Sequence, residues 1–367
     1  MIDFELGDEL SLLVETTRHF AADQLLPSLR EAESTRSVQT DIRRAYSEIG
    51  LGGLEIGEAL GGVGLACLAR CLVNEELGAH DPGAALALDP LGVAVYPVLE
   101  FAGDPAVAEL RSICAARDVA ATGTIGRAIL VVEAEDRDPT IPISLEVAWV
   151  PADDVAVVVV LGPTTACVID ECISTTAVRG SGLRAAGASH LTVTRARVRA
   201  SWFGSEGADR ARARARLATG SLLLGVLRAA CEFSRRYAME RHAFGQPIAH
   251  HQALAFLITD MNIALESARL LVHEAAWRLD SGLPAAAEAA SAFVECIEAA
   301  RFIGPNGVQI LGGHGFMADF PVEKHMREAR ALGLLAGGLD LAIEEAGRLV
   351  AAQDRPLAIA HLEPGAI

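Results

Sequence analysis

Hydrophobic positions along the chain fall into three blocks of different period. In the first, up to about residue 115, Leu10, Leu13, Val14, Thr17, Phe20 and Leu25 recur at helical spacing. Ile42, Tyr46 and Ile49 repeat that spacing over a shorter stretch. Pro27 and the polar run Glu31 to Ser37 are expected to break the first stripe. Gly50 to Gly64 reads as loop, Leu65 to Leu77 as a helix closed by Gly78, and Asp81-Pro-Gly83 as a turn. The second block, about 117 to 202, carries strand signals: Val155 to Leu161 is a β-branched apolar run, and His190 to Arg199 alternates apolar with polar residues. Its outward arginines would blunt an exposed sheet edge. From about 210 to 353 the helical period returns. Leu254, Leu257, Ile258, Met261, Leu265, Ala268 and Leu271 make a stripe about five turns long. Pro284 marks a helix start after Ser281-Gly282. Helix, strand, helix in that order predicts an α+β chain, mainly helical, with a small β module between helical parts. The tail Asp354 to Ile367 is expected at the surface.

Composition narrows the class. The 367 residues give room for two or three domains, and 51% hydrophobic with 22% charged residues reads as an ordered globular protein. The formal charge is −17, from 31 basic and 48 acidic residues. That sign argues against nucleic acid and membrane surfaces as partners, and an anionic ligand would need a local basic cluster. Seven cysteines, an odd number without a Cys-x-x-Cys, predict reduced thiols and a cytoplasmic setting. Cys67 and Cys71 read as small buried apolar residues on one helix face. The acidic N-terminus lacks the positive region of an ordinary signal peptide, and no uninterrupted apolar run reaches transmembrane length.

Two stretches in the last third carry the candidate chemistry: Arg241-His-Ala-Phe-Gly-Gln-Pro-Ile248 and Gln309-Ile-Leu-Gly-Gly-His-Gly-Phe316, the second followed by Pro321-Val-Glu-Lys-His-Met-Arg-Glu-Ala-Arg330. A guanidinium such as Arg241 offers a donor fork matched to phosphate oxygens. Adjacent glycines such as Gly312 and Gly313 let backbone N–H groups approach a phosphate or ribose, although they would serve equally as a helix C-cap. Arg210, Arg212, Arg214 and Arg216 recur every second residue, so a helix would spread them over different faces and leave some solvated.

These motifs, with Glu48-Ile-Gly-Leu-Gly-Gly-Leu54, Glu58-Ala-Leu-Gly-Gly-Val-Gly-Leu65 and Glu75-Glu-Leu-Gly78 near the N-terminus, resemble the acyl-CoA dehydrogenase family of flavoproteins over nearly the whole chain. The resemblance implies that family's fold: an N-terminal helical domain (1–116), a reduced, β-barrel-like domain (117–202) and a C-terminal four-helix bundle (203–367). It implies FAD as cofactor and an acyl-CoA substrate. Arg241 would meet the FAD pyrophosphate of a neighbouring chain, Phe244 would pack on the cofactor and Gln252 would hydrogen-bond it. Gln309, Gly312 and Gly313 would lie against its adenine half. Arg216 would be the cation near the acyl-CoA channel.

The same frame places the family's catalytic glutamate at Ala336 or, in a second group of relatives, at Ala215. An alanine methyl accepts no proton. The Thr-Glu-Pro segment that cradles the flavin ring is weakly preserved in Val119 to Arg127. The resemblance therefore implies one subunit of a heteromeric dehydrogenase, similar to the two-subunit actinobacterial enzymes of steroid catabolism, whose partner supplies the base. Two alternatives stay open: an active homo-oligomer with a relocated base, Asp340 or Glu206 being the nearest acids, and a non-catalytic scaffold that binds acyl-CoA or a protein.

Overall fold

The computed structural model describes residues 6–60, 62–116 and 126–352. Seven helices come first: α1 (Asp8–Phe20), α2 (Leu26–Thr35), α3 (Thr40–Glu48), α4 (Cys67–His80), α5 (Pro82–Leu88), α6 (Val95–Ala102) and α7 (Asp104–Ala116). Seven strands follow: β1 (Arg127–Val132), β2 (Ile143–Val150), β3 (Val155–Leu161), β4 (Thr165–Ile169), β5 (Ile173–Ala177), β6 (Ser189–Ala196) and β7 (Ala200–Phe203). The rest is helical apart from one short hairpin: α8 (Ser205–Glu240), β8 (His242–Ala243), β9 (Gln246–Pro247), α9 (Gln252–Asp280), α10 (Ala286–Leu311), α11 (Val322–Leu332) and α12 (Gly338–Ala351). The fourth member of the expected bundle is thus two short helices, and the loop between them contains Ala336.

Local chemistry corrects several expectations. Pro27 does not break a helix. A π-helical turn, Ala21–Leu25, carries α1 directly into α2, Pro27 lies just after it, and the helix ends at Arg36 in a left-handed conformation. Gly78 does not close α4. A Cβ there would lie 2.2 Å from the Leu222 carbonyl oxygen, and one at Gly225 would lie 2.2 Å from that of Glu75. These glycines let α4 and α8 cross backbone to backbone, so α4 continues to His80. Asp81 starts a helix: its Oδ1 accepts from the Ala84 N–H at 3.1 Å and Pro82 follows in the first turn of α5.

The β module is not a barrel. β1, β3, β4 and β7 form one open sheet, with β1 parallel to β3, and β2, β6 and β5 form a second, antiparallel sheet. All seven residues of β3 are buried. Val157 and Val159 face a cluster with Val107 and Leu110 of α7, while Val158 and Val160 face Leu191 and Val193 of the second sheet. With one face covered by helices and the other by a sheet, closure would bury nothing more. β6 is the centre of its sheet, not an edge. Of the arginines thought to guard it, Arg199 lies beyond the strand and holds Glu109 and Asp170 at 2.6 and 2.7 Å.

Cys67 and Cys71 are buried in the large core shared by α4, α8 and α10. α8 has the length and apolarity of a membrane span, which the absence of an uninterrupted apolar run did not anticipate, but 78% of its apolar window is buried in the fold.

Candidate functional site

The two motif stretches meet at one end of the helical bundle. Tyr237, one turn before Arg241, places its hydroxyl 2.8 Å from His314 Nδ1. His314 stacks on Phe320 with centroids 4.9 Å apart. Beyond α8 the chain turns through the β8–β9 hairpin, whose two turn residues, Phe244 and Gly245, both have positive φ, +54° and +84°. Such turns fit a hairpin's twist and favour Asn or Gly first, so phenylalanine there is strained. Its ring is 96% exposed. A large apolar side chain is thus held outward by an unfavourable backbone, with the His251 ring edge-on to it at 6.0 Å.

Arg241 and Gln252 are exposed beside this hairpin, and no carboxylate lies within ion-pair distance of Arg241 among the described residues. At the end of α10, Gln309, Gly312 and Gly313 are exposed. Gly312 caps the helix at φ +58°. A Cβ at Gly312 or Gly313 would meet nothing within 4 Å, whereas one at Gly315 would lie 2.3 Å from the Val308 carbonyl oxygen. Gly315 is therefore required by packing, Gly312 by its backbone angle, and Gly313 by neither.

Ala336 sits elsewhere, in the loop between α11 and α12, with φ +52°. It lines a cavity of about 260 Å³ bordered by β1, the end of β2, Leu86, Val93 and the Leu334–Gly337 loop. None of Arg241, Phe244, Gln252, Gln309, Gly312 and Gly313 lines it. Neither Asp, Glu nor His lines it among the described residues, and its one charged lining side chain is Arg127. Ala215 is wholly buried in α8, its carbonyl accepting from the Thr219 hydroxyl at 2.8 Å. Asp340 is exposed and lines a different depression, with Arg301 and Arg330. Glu206 is exposed at the start of α8. Residues 119–125 of the weak Thr-Glu-Pro counterpart lie outside the described residues.

None of the four alternating arginines is left to solvent. Arg210 and Arg214 hold Glu100 at 2.7 and 2.6 Å, and Arg214 also holds Glu55 at 2.9 Å. Arg216 donates to Glu345 at 2.8 Å and is 1% exposed. Arg212 Nε stands 3.1 Å from the same carboxylate without hydrogen-bond alignment. Burial pulls the Arg216 guanidinium down and Glu345 opposes it. Arg216 would have to leave Glu345 to meet a thioester.

Trp149, which the sequence did not single out, and Arg127, named only as the last residue of the weak Thr-Glu-Pro counterpart, both line the Ala336 cavity. Trp149, near the end of β2, has a buried indole Nε1 without a hydrogen-bond partner. Arg127, at the start of β1, donates through one nitrogen to the Pro151 and Ala186 carbonyls at 2.6 and 3.3 Å, and its Nε has no partner. An aromatic closing an alternating strand and a cation opening an apolar one were the available signals.

Comparison with known proteins matches both helical parts. Residues 7–109 fit the acyl-CoA dehydrogenase N-terminal domain model and residues 204–350 the C-terminal domain model. The chain is similar to the bovine mitochondrial short-chain specific acyl-CoA dehydrogenase, 29% identical over 91% of this chain and 88% of that protein. It is 26% identical to benzylmalonyl-CoA dehydrogenase of Aromatoleum aromaticum, over 92% and 96%. A variant of the Tcur3481-Tcur3483 steroid acyl-CoA dehydrogenase superposes with a TM-score of 0.78 at 24% identity, covering 95% of this chain and 99% of that one.

Proposed function

The chain belongs to the acyl-CoA dehydrogenase family of FAD-dependent oxidoreductases acting on CH–CH bonds, and on that premise we propose that it is the base-lacking subunit of a heteromeric enzyme. Its substrate is a bulky, steroid-type CoA thioester, and its partner, a homologous chain, carries the catalytic carboxylate. When bound, FAD accepts the hydride leaving the β-carbon of the thioester. This chain's Arg241 offers its fork to the pyrophosphate, Phe244 covers the cofactor, and Gln252 and Gln309 donate hydrogen bonds. Gly312 and Gly313 keep the backbone open to the adenine half.

The observation that carries this reading is the exposed, strained Phe244 beside unpaired Arg241, on a surface separate from the cavity that Ala336 lines. Groups that grip a cofactor on one face and a cavity on another suit a chain that contributes to a neighbour's site. The cavity's ionisable lining group is a cation, which steadies negative charge and takes no proton; the α-proton goes to the partner. Phe256, Ile263, Leu270 and Trp277 lie seven residues apart on α9 and are 55–60% exposed, an apolar face suited to burial in an assembly. Ala336, Gly337 and Gly338 leave room for a ring system, and the steroid enzyme of similar fold suggests which one. A cytoplasmic setting belongs to the same proposal. A relocated base at Asp340 is less favoured, because that carboxylate lines a different depression.

The test is to purify the chain alone and co-expressed with a homologous, glutamate-bearing chain. Alone, it is expected to hold little FAD and to reduce no dye with acyl-CoA; the complex is expected to do both. Stoichiometric FAD and turnover by the isolated chain would refute the proposal. A complex that binds acyl-CoA and never turns over would make it a scaffold.

A further inference from the structure

The chain carries 31 lysine and arginine side chains, and one of them is a lysine, Lys324. The other cations are guanidinium groups. The two kinds differ as nucleophiles. An arginine keeps its proton at any working pH, whereas a lysine amine, once deprotonated, attacks carbonyl carbon. A protein that binds an acyl-CoA holds an electrophile against its own surface, where proximity raises the effective concentration of any amine within reach. In the transfer the amine nitrogen bonds to the acyl carbon, the C–S bond breaks, and CoA leaves as its thiol with the proton that the amine loses.

Lys324 is shut away from that attack. It lies on α11, is 2% exposed, and its Nζ sits 2.5 Å from Glu328 Oε1 and 3.3 Å from Asp81 Oδ1. Burial by itself would draw the ammonium down, but these carboxylates outweigh it and hold the group above the usual lysine value, so a proton occupies the lone pair. Both carboxylates also hold backbone. Asp81 Oδ1 accepts from the Ala84 N–H at 3.1 Å, and Glu328 Oε2 accepts from the Leu183 N–H at 2.7 Å. Main chain closes the space around them. A Cβ at Gly182 would lie 2.4 Å from the Arg327 carbonyl oxygen, and one at Gly83 would lie 3.2 Å from the Leu183 carbonyl carbon. Further out, buried Glu33 holds Arg30 and Arg327 at 2.9 and 2.8 Å. Helix α5, helix α11 and the turn before β6 thus meet on the amine, and a thioester carbonyl has no path to it.

We propose that the folded chain is closed to lysine acylation by CoA thioesters, and that Lys324 is a latent acylation site, reached only when α5, α11 and the turn before β6 separate. An amide at Lys324 is neutral and would leave Asp81 and Glu328 buried without their cation, so a chain acylated there does not close again. The same geometry shields the folded chain from other lysine-directed modification. The inference rests on family membership, which brings the thioester, and not on the missing base or the partner. The mass of the adduct reads it without turnover.

The probe is succinyl-CoA, incubated with the full chain, or with the complex where a partner co-purifies, in buffer and in urea. Hydroxylamine then clears thioesters from the exposed Cys172, and peptide mass mapping separates Lys324 from the terminal amine. Arg44→Lys supplies a reference amine on α3, at a side chain 66% exposed. In buffer, Lys324 is expected to take label at least about 100-fold more slowly than that reference amine; in urea the two rates should agree within about threefold. Lys324→Arg, labelled in urea, should carry the adduct at the terminal amine alone. At the middle of the urea transition, size exclusion should find the Lys324 adduct in the unfolded fraction, enriched at least about tenfold over the folded one. A smaller ratio in buffer, or an adduct shared evenly between the two fractions, would overturn the proposal and leave the single lysine a matter of composition.

Discussion

The two ends of α8 treat their arginines in opposite ways. At the N-terminal end, Arg210, Arg212, Arg214 and Arg216 are turned inward onto Glu55, Glu100, Asp209 and Glu345. Past the C-terminal end, Arg241 is exposed without a carboxylate partner among the described residues, beside the outward ring of Phe244. Between them, Arg228 holds Glu76 at 2.8 Å near the helix's middle. The contrast separates cations whose hydrogen bonds are already taken within the fold from one whose hydrogen bonds are not. The first set holds the fold, and the second is free to hold something else.

The contrast can be broken most severely at the buried end. Glu345→Ala leaves the Arg216 guanidinium buried without its carboxylate and should cost about 3–5 kcal/mol of stability in urea unfolding. A loss below about 1 kcal/mol would mean that solvent reaches the pair and that Arg216 can leave Glu345 readily to meet CoA. At the open end, Arg241→Ala should leave stability within about 0.5 kcal/mol of wild type. It should weaken FAD binding to the assembled enzyme by about 10- to 100-fold, the worth of a charge-assisted hydrogen bond. Equal losses of stability at both ends would abolish the distinction.

The middle of the helix makes a pH prediction. Burial alone would raise the Glu76 carboxyl, but hydrogen bonds from Arg228 and Arg18 outweigh it and hold the group at about 2. A carboxyl whose folded value lies below its unfolded one stabilises the fold above the unfolded value. That contribution is lost as pH falls through about 4.5 towards 2. The urea midpoint should fall over that window, and Glu76→Gln should flatten that part of the profile. The smallest effect is expected at Asp340: Asp340→Asn should leave both turnover of the complex and stability unchanged within about 0.5 kcal/mol. A large fall in turnover with FAD retained would instead mark Asp340 as the relocated base.

How much of this was legible beforehand depended on whether the signal was local. The Val155–Leu161 strand and the α9 stripe were readable because each is set by a short run of side chains. Gly78 misled because a helix-stopping glycine and a helix-crossing glycine look alike until the Leu222 carbonyl is known to lie opposite it. β6 misled because strand order depends on pairing across the sheet and not on its own alternation. The alternating arginines misled for the same reason: Glu345 is 129 residues from Arg216. Trp149 escaped notice because it stands in no motif, and Arg127 was read only as the end of a weak segment, because their shared cavity exists only once β1 and β2 meet the Leu334–Gly337 loop.

That loop has a consequence for engineering. Ala336 already bears the roughly 1–2 kcal/mol penalty of a left-handed backbone at a residue other than glycine. Exchanging it for a longer L-amino acid would repeat that penalty without enlarging it. The position is thus a ready-made socket: one codon would install an acid beside the cavity without re-bending the chain.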